Sequence, residues 1–229
     1  MDTFLYIVFP YLAIFTCIVA SIIRIRFFGY TISSFSTQLF ESRQLYWGSR
    51  LFHSGIVVLL LGHLIGLIIP RGITLFTNHP LRLMVIEVTA FAFALMSFVG
   101  VILLLYRRLT EPRVRIVTKK TDFLVYGILL LQIITGIWVA YFHRWGISWY
   151  TTVLAPYIHS FFTFSPNVAA FAALPVMIKI HALLGFAFIA IIPFTRLIHF
   201  LAYPYHYLYR KYIVFVSNLN LEKINNQKN

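Results

Sequence analysis

The chain has 229 residues, of which 60% are hydrophobic and only 11% charged, with a net charge of +13. Soluble domains carry roughly 25% charged residues, so this composition excludes an ordinary soluble fold and predicts an integral membrane protein. The single cysteine, Cys17, excludes an intrachain disulfide and a cysteine-ligated iron–sulfur cluster within the chain. The basic residues cluster in short segments between apolar runs, which indicates membrane topology rather than nucleic-acid binding.

Five apolar segments are long enough to cross a hydrocarbon core of about 30 Å, which needs roughly 20 helical residues. They cover about 3–24, 50–70, 83–106, 122–142 and 175–201. The segment 148–172 mixes aromatic and polar residues and contains Pro156 and Pro166, so we interpret it as an interfacial loop with a short helix. The expected fold class is therefore an all-α integral membrane protein, a five-transmembrane-helix bundle.

The distribution of basic residues predicts the orientation of this bundle. Of the nineteen lysines and arginines, fifteen lie within 24–50, within 107–120 or from Arg196 onward. The positive-inside rule then places the N-terminus outside and the C-terminus in the cytoplasm, as five crossings require. We expect a multi-pass protein of a prokaryotic plasma membrane, with a membrane domain over 1–202. The remainder, 203–229, is interpreted as a cytoplasmic tail that docks partner subunits.

Four histidines lie within two of these spans: His53 and His63 in the second, His181 and His199 in the fifth. Ionisable side chains inside a bilayer are costly and usually functional. Because the two spans are antiparallel, His53 shares the cytoplasmic side with His199, and His63 shares the outer side with His181. The spacings of ten and eighteen residues correspond to about 15 and 27 Å along a helix. Two levels of paired imidazoles predict two stacked bis-histidine haems. No Cys-x-x-Cys-His occurs, so the haems would be held non-covalently.

Other readings of these histidines remain open at this stage. An interhelical hydrogen bond accounts equally well for any single membrane histidine, and one well-placed pair would hold a single haem. A haem-free transporter or structural anchor is a further alternative, weakened by the lack of a convincing internal repeat. Gly55, Gly62 and Gly66 flank the histidines of the second span, where they would admit a macrocycle or a neighbouring helix.

Several motifs resemble the gamma subunit of respiratory nitrate reductase. Phe52-His53-Ser54-Gly55 and Gly62-His63-Leu64-Ile65-Gly66 are similar to the second helix of that family, and His181-Ala182-Leu183-Leu184-Gly185 with Pro193-Phe194-Thr195-Arg196-Leu197-Ile198-His199 to its fifth. The similarity includes Pro112-Arg113-Val114-Arg115 and Tyr207-Leu208-Tyr209-Arg210-Lys211-Tyr212. It extends over most of the chain and is weakest at 143–174.

The resemblance implies a di-haem cytochrome b that oxidises quinol and anchors two cytoplasmic partners. These would be an iron–sulfur beta subunit and a molybdenum catalytic alpha subunit that reduces nitrate. His53 and His199 would ligate the inner haem, and His63 and His181 the outer haem. The alternative within redox chemistry is the cytochrome b anchor of another quinone-linked complex.

Further site hypotheses concern the two ends of this electron path. For quinol binding we select Gly62, His63 and Gly66, with Arg82 as a polar contact or, alternatively, an interfacial anchor. Arg196 lies one turn before His199, where a guanidinium can reach a haem propionate. Arg113 and Arg115 are the second candidates for that contact, and topology alone accounts equally well for all three arginines.

Overall fold

The structure is a computed structural model that describes residues 2–28 and 42–202, and every regular element in those ranges is helical. Five helices are long and apolar enough to cross a membrane: Phe4–Phe27, Arg43–Ile68, Pro80–Thr110, Lys120–Phe142 and Val176–Phe194. The predicted all-α fold with five spans is confirmed. The predicted docking tail, 203–229, lies outside the described residues.

The helices in chain order are α1 (Phe9–Phe27), α2 (Arg43–Ile68), α3 (Pro70–Thr77), α4 (Pro80–Thr110), α5 (Pro112–Ile116), α6 (Lys120–Phe142), α7 (Gly146–Trp149), α8 (Ala155–Phe162), α9 (Ala169–Ala172), α10 (Val176–Ile191) and α11 (His199–Ala202). A π-helical turn, Phe4–Val8, extends the start of α1. Helices α3, α4 and α5 each begin at a proline, whose missing N–H would be unpaired in the first turn anyway.

The long helices pack in the spatial order α2, α4, α6, α10, α1. The closest approach joins α2 to α4 through glycines. A Cβ at Gly55 would lie 2.6 Å from the carbonyl oxygen of Phe93, and one at Gly100 would lie 2.3 Å from the backbone nitrogen of Phe52. Gly55 therefore admits a neighbouring helix rather than a cofactor. The histidine-bearing helices α2 and α10 are not packed directly on each other and are connected through α4 and α6.

Two apolar clusters hold this arrangement. The first joins α1 to α8, α9 and α10 and is centred on Tyr157, Phe161 and Phe171, with Tyr157 stacked on Phe171 at 4.2 Å between ring centroids. The second joins α4 to α6 through Val101 and Leu129. Only 17–22% of each span is buried within the chain. Most of the span surface is thus left for lipid, cofactor or partner subunits.

The fifth span differs from its prediction as one helix over 175–201. Helix α10 ends at Ile191, and two 3-10 turns separated by the extended residue Thr195 precede α11. Pro193 cannot donate a helical hydrogen bond, and the Arg24 guanidinium of α1 donates to the carbonyl oxygens of Pro193 and Thr195. His199 therefore begins a separate short helix, and its distance from His181 does not follow from a continuous rise of 1.5 Å per residue.

The region predicted as an interfacial loop is more helical than expected. A left-handed residue, Trp145 with φ 64°, precedes α7, and a π turn, Tyr150–Leu154, joins α7 to α8. This segment is not among the five spans, as predicted. The segment packs against α3 and α4, and its π turn also contacts α2, the helix that carries His63.

Candidate functional site

We name the two histidine levels outer and inner after the predicted orientation. At the outer level, His181 lies beside residues of the neighbouring helix α6. Its Nδ1 atom lies 2.9 Å from the Thr135 hydroxyl oxygen, which itself donates to the Leu131 carbonyl at 2.8 Å. The hydroxyl therefore accepts the proton of Nδ1. The Gln132 amide nitrogen lies 3.4 Å from the other ring nitrogen, Nε2. A Cβ at Gly136 would stand 3.0 Å from the ring, so the glycine makes room for the imidazole.

His63, on α2, is the residue that the sequence assigns to the same level as His181. Its Nδ1 lies 2.8 Å from the Leu59 carbonyl oxygen one turn earlier. Tyr150, from the π turn after α7, packs its ring on the imidazole with centroids 5.4 Å apart. The Tyr150 hydroxyl donates to the backbone carbonyl of His63 at 2.8 Å. Burial raises the pKa of Tyr150 to about 12, so this hydroxyl remains a neutral donor at physiological pH.

At the inner level, the histidines are oriented by backbone carbonyls of their own segments. The Nδ1 atom of His53 lies 2.8 Å from the Ser49 carbonyl oxygen, and that of His199 lies 2.7 Å from the Arg196 carbonyl oxygen. Both imidazoles are exposed in the isolated chain. The hydrogen bonds of both rings run to their own segments, which distinguishes this level from the outer one.

All four imidazoles share one hydrogen-bonding pattern, with Nδ1 directed at an accepting oxygen. Those partners assign the proton to Nδ1 and make Nε2 the acceptor nitrogen, which at His181 faces the Gln132 amide. Such orientation by a second hydrogen bond is typical of metal-ligating histidines. Two imidazoles at each level are the donor set that a haem iron accepts from a protein, whereas a structural metal ion takes about four ligands.

A buried ion cluster lies beside the inner level. Asp122, at the start of α6, binds Arg108 through Oδ2 at 3.0 Å and Arg196 through Oδ1 at 3.1 Å. Arg196 also donates to the Val117 carbonyl at 3.3 Å. Since the Arg196 carbonyl accepts from His199, the cluster connects α4 and α6 to the orientation of an inner histidine.

The family model for the nitrate reductase gamma subunit matches residues 2–218. The chain belongs to the nitrate reductase gamma subunit family. It is 30% identical to the nitrate reductase gamma chain of Bacillus subtilis, covering 91% of this chain and 95% of that one. It is 26% identical to the respiratory nitrate reductase 2 gamma chain of Escherichia coli, over 93% and 95%. The nitrate reductase-like protein NarX of Mycobacterium tuberculosis is 32% identical over 96% of this chain but only 35% of its own length.

Family membership identifies a multi-pass membrane subunit of a nitrate reductase, one chain of a multi-subunit oxidoreductase. The resemblance derived from the histidine motifs is thereby confirmed.

The residues selected for quinol binding in this gamma subunit occupy different surroundings. Within residues 2–28 and 42–202, no atom of another element lies within 4 Å of a Cβ built on Gly62, so the backbone beside His63 is open. A Cβ on Gly66 would lie 2.8 Å from the Tyr150 ring. Arg82, in the first turn of α4, stacks its guanidinium on Phe76 at 5.2 Å. The structure thus joins Gly66 to His63 through Tyr150, and places Arg82 on an aromatic ring of α3.

The residues selected for propionate contact are divided between two elements. Arg196 is held by Asp122 in the segment between α10 and α11. Arg113 and Arg115 are exposed on the short helix α5.

Sequence reasoning missed three groups of neighbours of the gamma subunit's histidines. Asp122 is the one for which a signal existed, because a lone acid at the start of an apolar span flanked by basic loops suggests an ion pair. Thr135 and Tyr150 carry no such signal. They become visible only when α6 and the segment after α7 are placed against α10 and α2.

Proposed function

We propose that the chain is a di-haem cytochrome b that oxidises quinol near the outer membrane face and passes electrons inward. The acceptor would be a cytoplasmic iron–sulfur beta subunit, which supplies a molybdenum alpha subunit that reduces nitrate. The observation that carries this proposal is the common orientation of four imidazoles with Nε2 left as an acceptor. A transporter or structural anchor has no need of that pattern.

The outer haem b would be held by His63 and His181, and the inner one by His53 and His199. When bound, each haem supplies a reversible one-electron carrier whose potential depends on its axial ligands and surroundings. The separation of α2 from α10 supports this assignment, because helices that share a macrocycle cannot pack directly on each other. Hydrogen bonding at Nδ1 fixes the plane of each imidazole ring and raises the basicity of its Nε2 atom toward iron.

Quinol would bind beside the outer haem, where the open backbone at Gly62 meets His63. Tyr150 and Gly66 form one wall of this space, and Tyr150 holds the His63 carbonyl. Arg82 would provide a polar contact after leaving Phe76, on which it now stacks. Release of the two quinol protons to the outside, with electrons directed inward, would conserve energy across the membrane.

On the inner side, Arg196 would contact a haem propionate, with Arg113 and Arg115 as further contacts. Asp122 binds the Nε atom of Arg196 and the Val117 carbonyl its Nη2 atom, so Nη1 is the nitrogen that would bind a propionate. The predicted orientation, with the N-terminus outside and the C-terminus in the cytoplasm of a prokaryotic plasma membrane, places this side next to the partners. The tail 203–229 would then dock them, below a membrane domain over 1–202.

The decisive experiment is a dithionite-reduced minus oxidised spectrum of the purified membrane protein, with haem quantified per chain. Two b-type haems per chain are expected. A protein that contains no haem after expression with ample haem supply would overturn the proposal and favour a haem-free anchor or transporter. One haem per chain would limit the electron path to a single level.

A further inference from the structure

Two buried polar atoms near the outer end of α4 have no hydrogen-bond partner within the described part of the chain. They are the Oε1 atom of Glu87 and the indole Nε1 of Trp149. A Cβ built on Gly146 would lie 3.9 Å from Glu87 Oε1 and 4.0 Å from Trp149 Nε1. Both atoms therefore border the same small space, which exists because residue 146 has no side chain.

The chemistry of the two atoms restricts what this space can bind. A carboxylate oxygen accepts hydrogen bonds, whereas the indole nitrogen only donates one. A single hydroxyl group satisfies both, because its oxygen accepts from Trp149 and its hydrogen is donated to Glu87. A ketone oxygen would satisfy only the indole, and an ammonium group only the carboxylate.

The surroundings select a membrane-soluble molecule that carries the hydroxyl. Phe91 lies one helical turn after Glu87 on the same face of α4 and lines an apolar groove of about 440 Å³ between α4 and α6. Leu95, Trp138 and Tyr141 are among its walls and are exposed. A hydroxyl site one turn from such a groove suits a hydroxylated ring with a long apolar tail.

The same space is adjacent to the outer histidine level. Trp149 ends α7, and the next residue, Tyr150, packs on His63 and binds its carbonyl. Trp149 borders the same space as the Glu87 carboxylate, and its neighbour in sequence contacts the predicted haem ligand His63. A hydroxyl bound at Glu87 is therefore placed beside the electron acceptor rather than elsewhere on the bundle.

We propose that Glu87 and Trp149 bind one hydroxyl of the quinol and that Glu87 accepts its proton, with the tail along the α4–α6 groove. This inference rests on the proposed quinol oxidation. The quinol O–H bond breaks, and its proton forms a carboxylic acid at Glu87 Oε1. One electron would pass to the oxidised outer haem that His63 and His181 would hold, and Glu87 would release its proton to the outer aqueous phase. A second electron could follow once the first has passed to the inner haem, with the proton of the second hydroxyl released to the outer aqueous phase.

Three variants of the intact, haem-loaded protein test this role. Glu87→Gln keeps the shape but removes the proton acceptor, Gly146→Ala fills the space at ordinary contact distances, and Trp149→Phe removes the N–H. Gly127→Ala is the matched control, because a Cβ on Gly127 meets no atom within 4 Å. The electron donor is menadiol, a naphthoquinol without a tail, and haem reduction is followed by stopped-flow absorbance.

We expect Glu87→Gln to slow haem reduction by menadiol roughly a hundredfold, as loss of a general base does. Gly146→Ala and Trp149→Phe should raise the menadiol KM about tenfold with a smaller change in kcat. In calorimetric titration, 1-naphthol should bind the original protein more tightly than 1-methoxynaphthalene, and Gly146→Ala should abolish that difference. The haem content of each of the three variants, and the extent of its reduction by dithionite, should equal those of the control Gly127→Ala.

The groove has its own test. Leu95→Trp should raise the KM of a naphthoquinol that carries a prenyl tail while leaving the KM of menadiol unchanged. An equal change in the KM values of both donors would show that the tail does not bind in the groove.

The outcomes separate this inference from the function on which it rests. If menadiol does not reduce the haems of the original protein, the proposed quinol oxidation is wrong. If menadiol reduces them and the three variants behave like Gly127→Ala, quinol oxidation stands and the hydroxyl site is refuted. Preserved reduction in Trp149→Phe and Gly146→Ala, with loss only in Glu87→Gln, would refute the shared hydroxyl.

Discussion

The outer and inner histidine levels differ in what holds their imidazoles. The outer pair is supported from other elements, since Thr135 binds His181 and Tyr150 packs on His63. At the inner level, the ring nitrogens of His53 and His199 bind carbonyls three or four residues away in their own segments. The inner level is supported indirectly: Asp122 binds Arg196, whose carbonyl oxygen in turn binds His199.

This difference arises because the helix is continuous at His181 and interrupted before His199. Helix α10 is intact at His181, so its imidazole meets α6 along a packed helix pair. It is broken before His199, so the inner ligand depends on how the 3-10 segment is anchored. Ring orientation at the outer level is therefore a property of helix packing, and at the inner level a property of electrostatic anchoring.

The largest expected effect comes from removing a ligand at either level. His181→Ala should lose the outer haem and His53→Ala the inner one, each halving haem per chain, because a haem with one remaining axial imidazole is weakly held. Pyridine haemochrome analysis with redox titration measures this. Loss of both haems in either variant would show that the levels are not independent.

Asp122→Asn should disturb only the inner level. Removing this buried carboxylate leaves two arginines without their anion and should destabilise the protein by about 3 kcal/mol, reduced somewhat by the exposure of Arg196. Thermal unfolding in detergent gives the stability, and redox titration should show a shifted inner haem with an unchanged outer one. Glu111→Gln removes one acidic charge on the same side and should leave both haems unchanged. An outer-haem shift in Asp122→Asn would contradict the assignment.

Thr135→Val should disturb only the outer level. The valine keeps the shape but removes the oxygen that accepts from His181, which should cost about 1–3 kcal/mol and change the potential of the outer haem. Thr89→Val is the control, because the Thr89 hydroxyl bonds only within its own helix, to the Val85 carbonyl. Identical redox titrations for the two variants would mean that Thr135 has no part in orienting the ligand.

Tyr150→Phe should produce the smallest effect. It removes one hydrogen bond to the His63 carbonyl but retains the ring contact, so a loss of about 1 kcal/mol is expected. The outer haem spectrum should change slightly while its content is retained. Tyr106→Phe, at an exposed position, should leave the spectrum unaltered. A haem loss as large as that of His181→Ala would mean that Tyr150 supports the fold rather than the ligand.

Much of this protein could be read without its structure. Apolar helices are buried in the membrane away from water, so the five spans were predictable from hydropathy, and the histidines within or beside them indicated a candidate site. The prediction failed where a distant residue decides local conformation. The break after Ile191 is stabilised by Arg24, and this contact spans about three quarters of the chain.

The sequence by itself determined the membrane class, the number of spans and the four histidines, because these follow from local hydropathy and residue type. Only the tertiary structure decided which atoms surround each imidazole, since Thr135, Asp122 and Tyr150 reach the histidine levels from other helices. It also placed Glu87 and Trp149 at one space. Hydrogen bonds and ion pairs between distant segments leave no periodic signal in a sequence, and they exist only once the helices are packed.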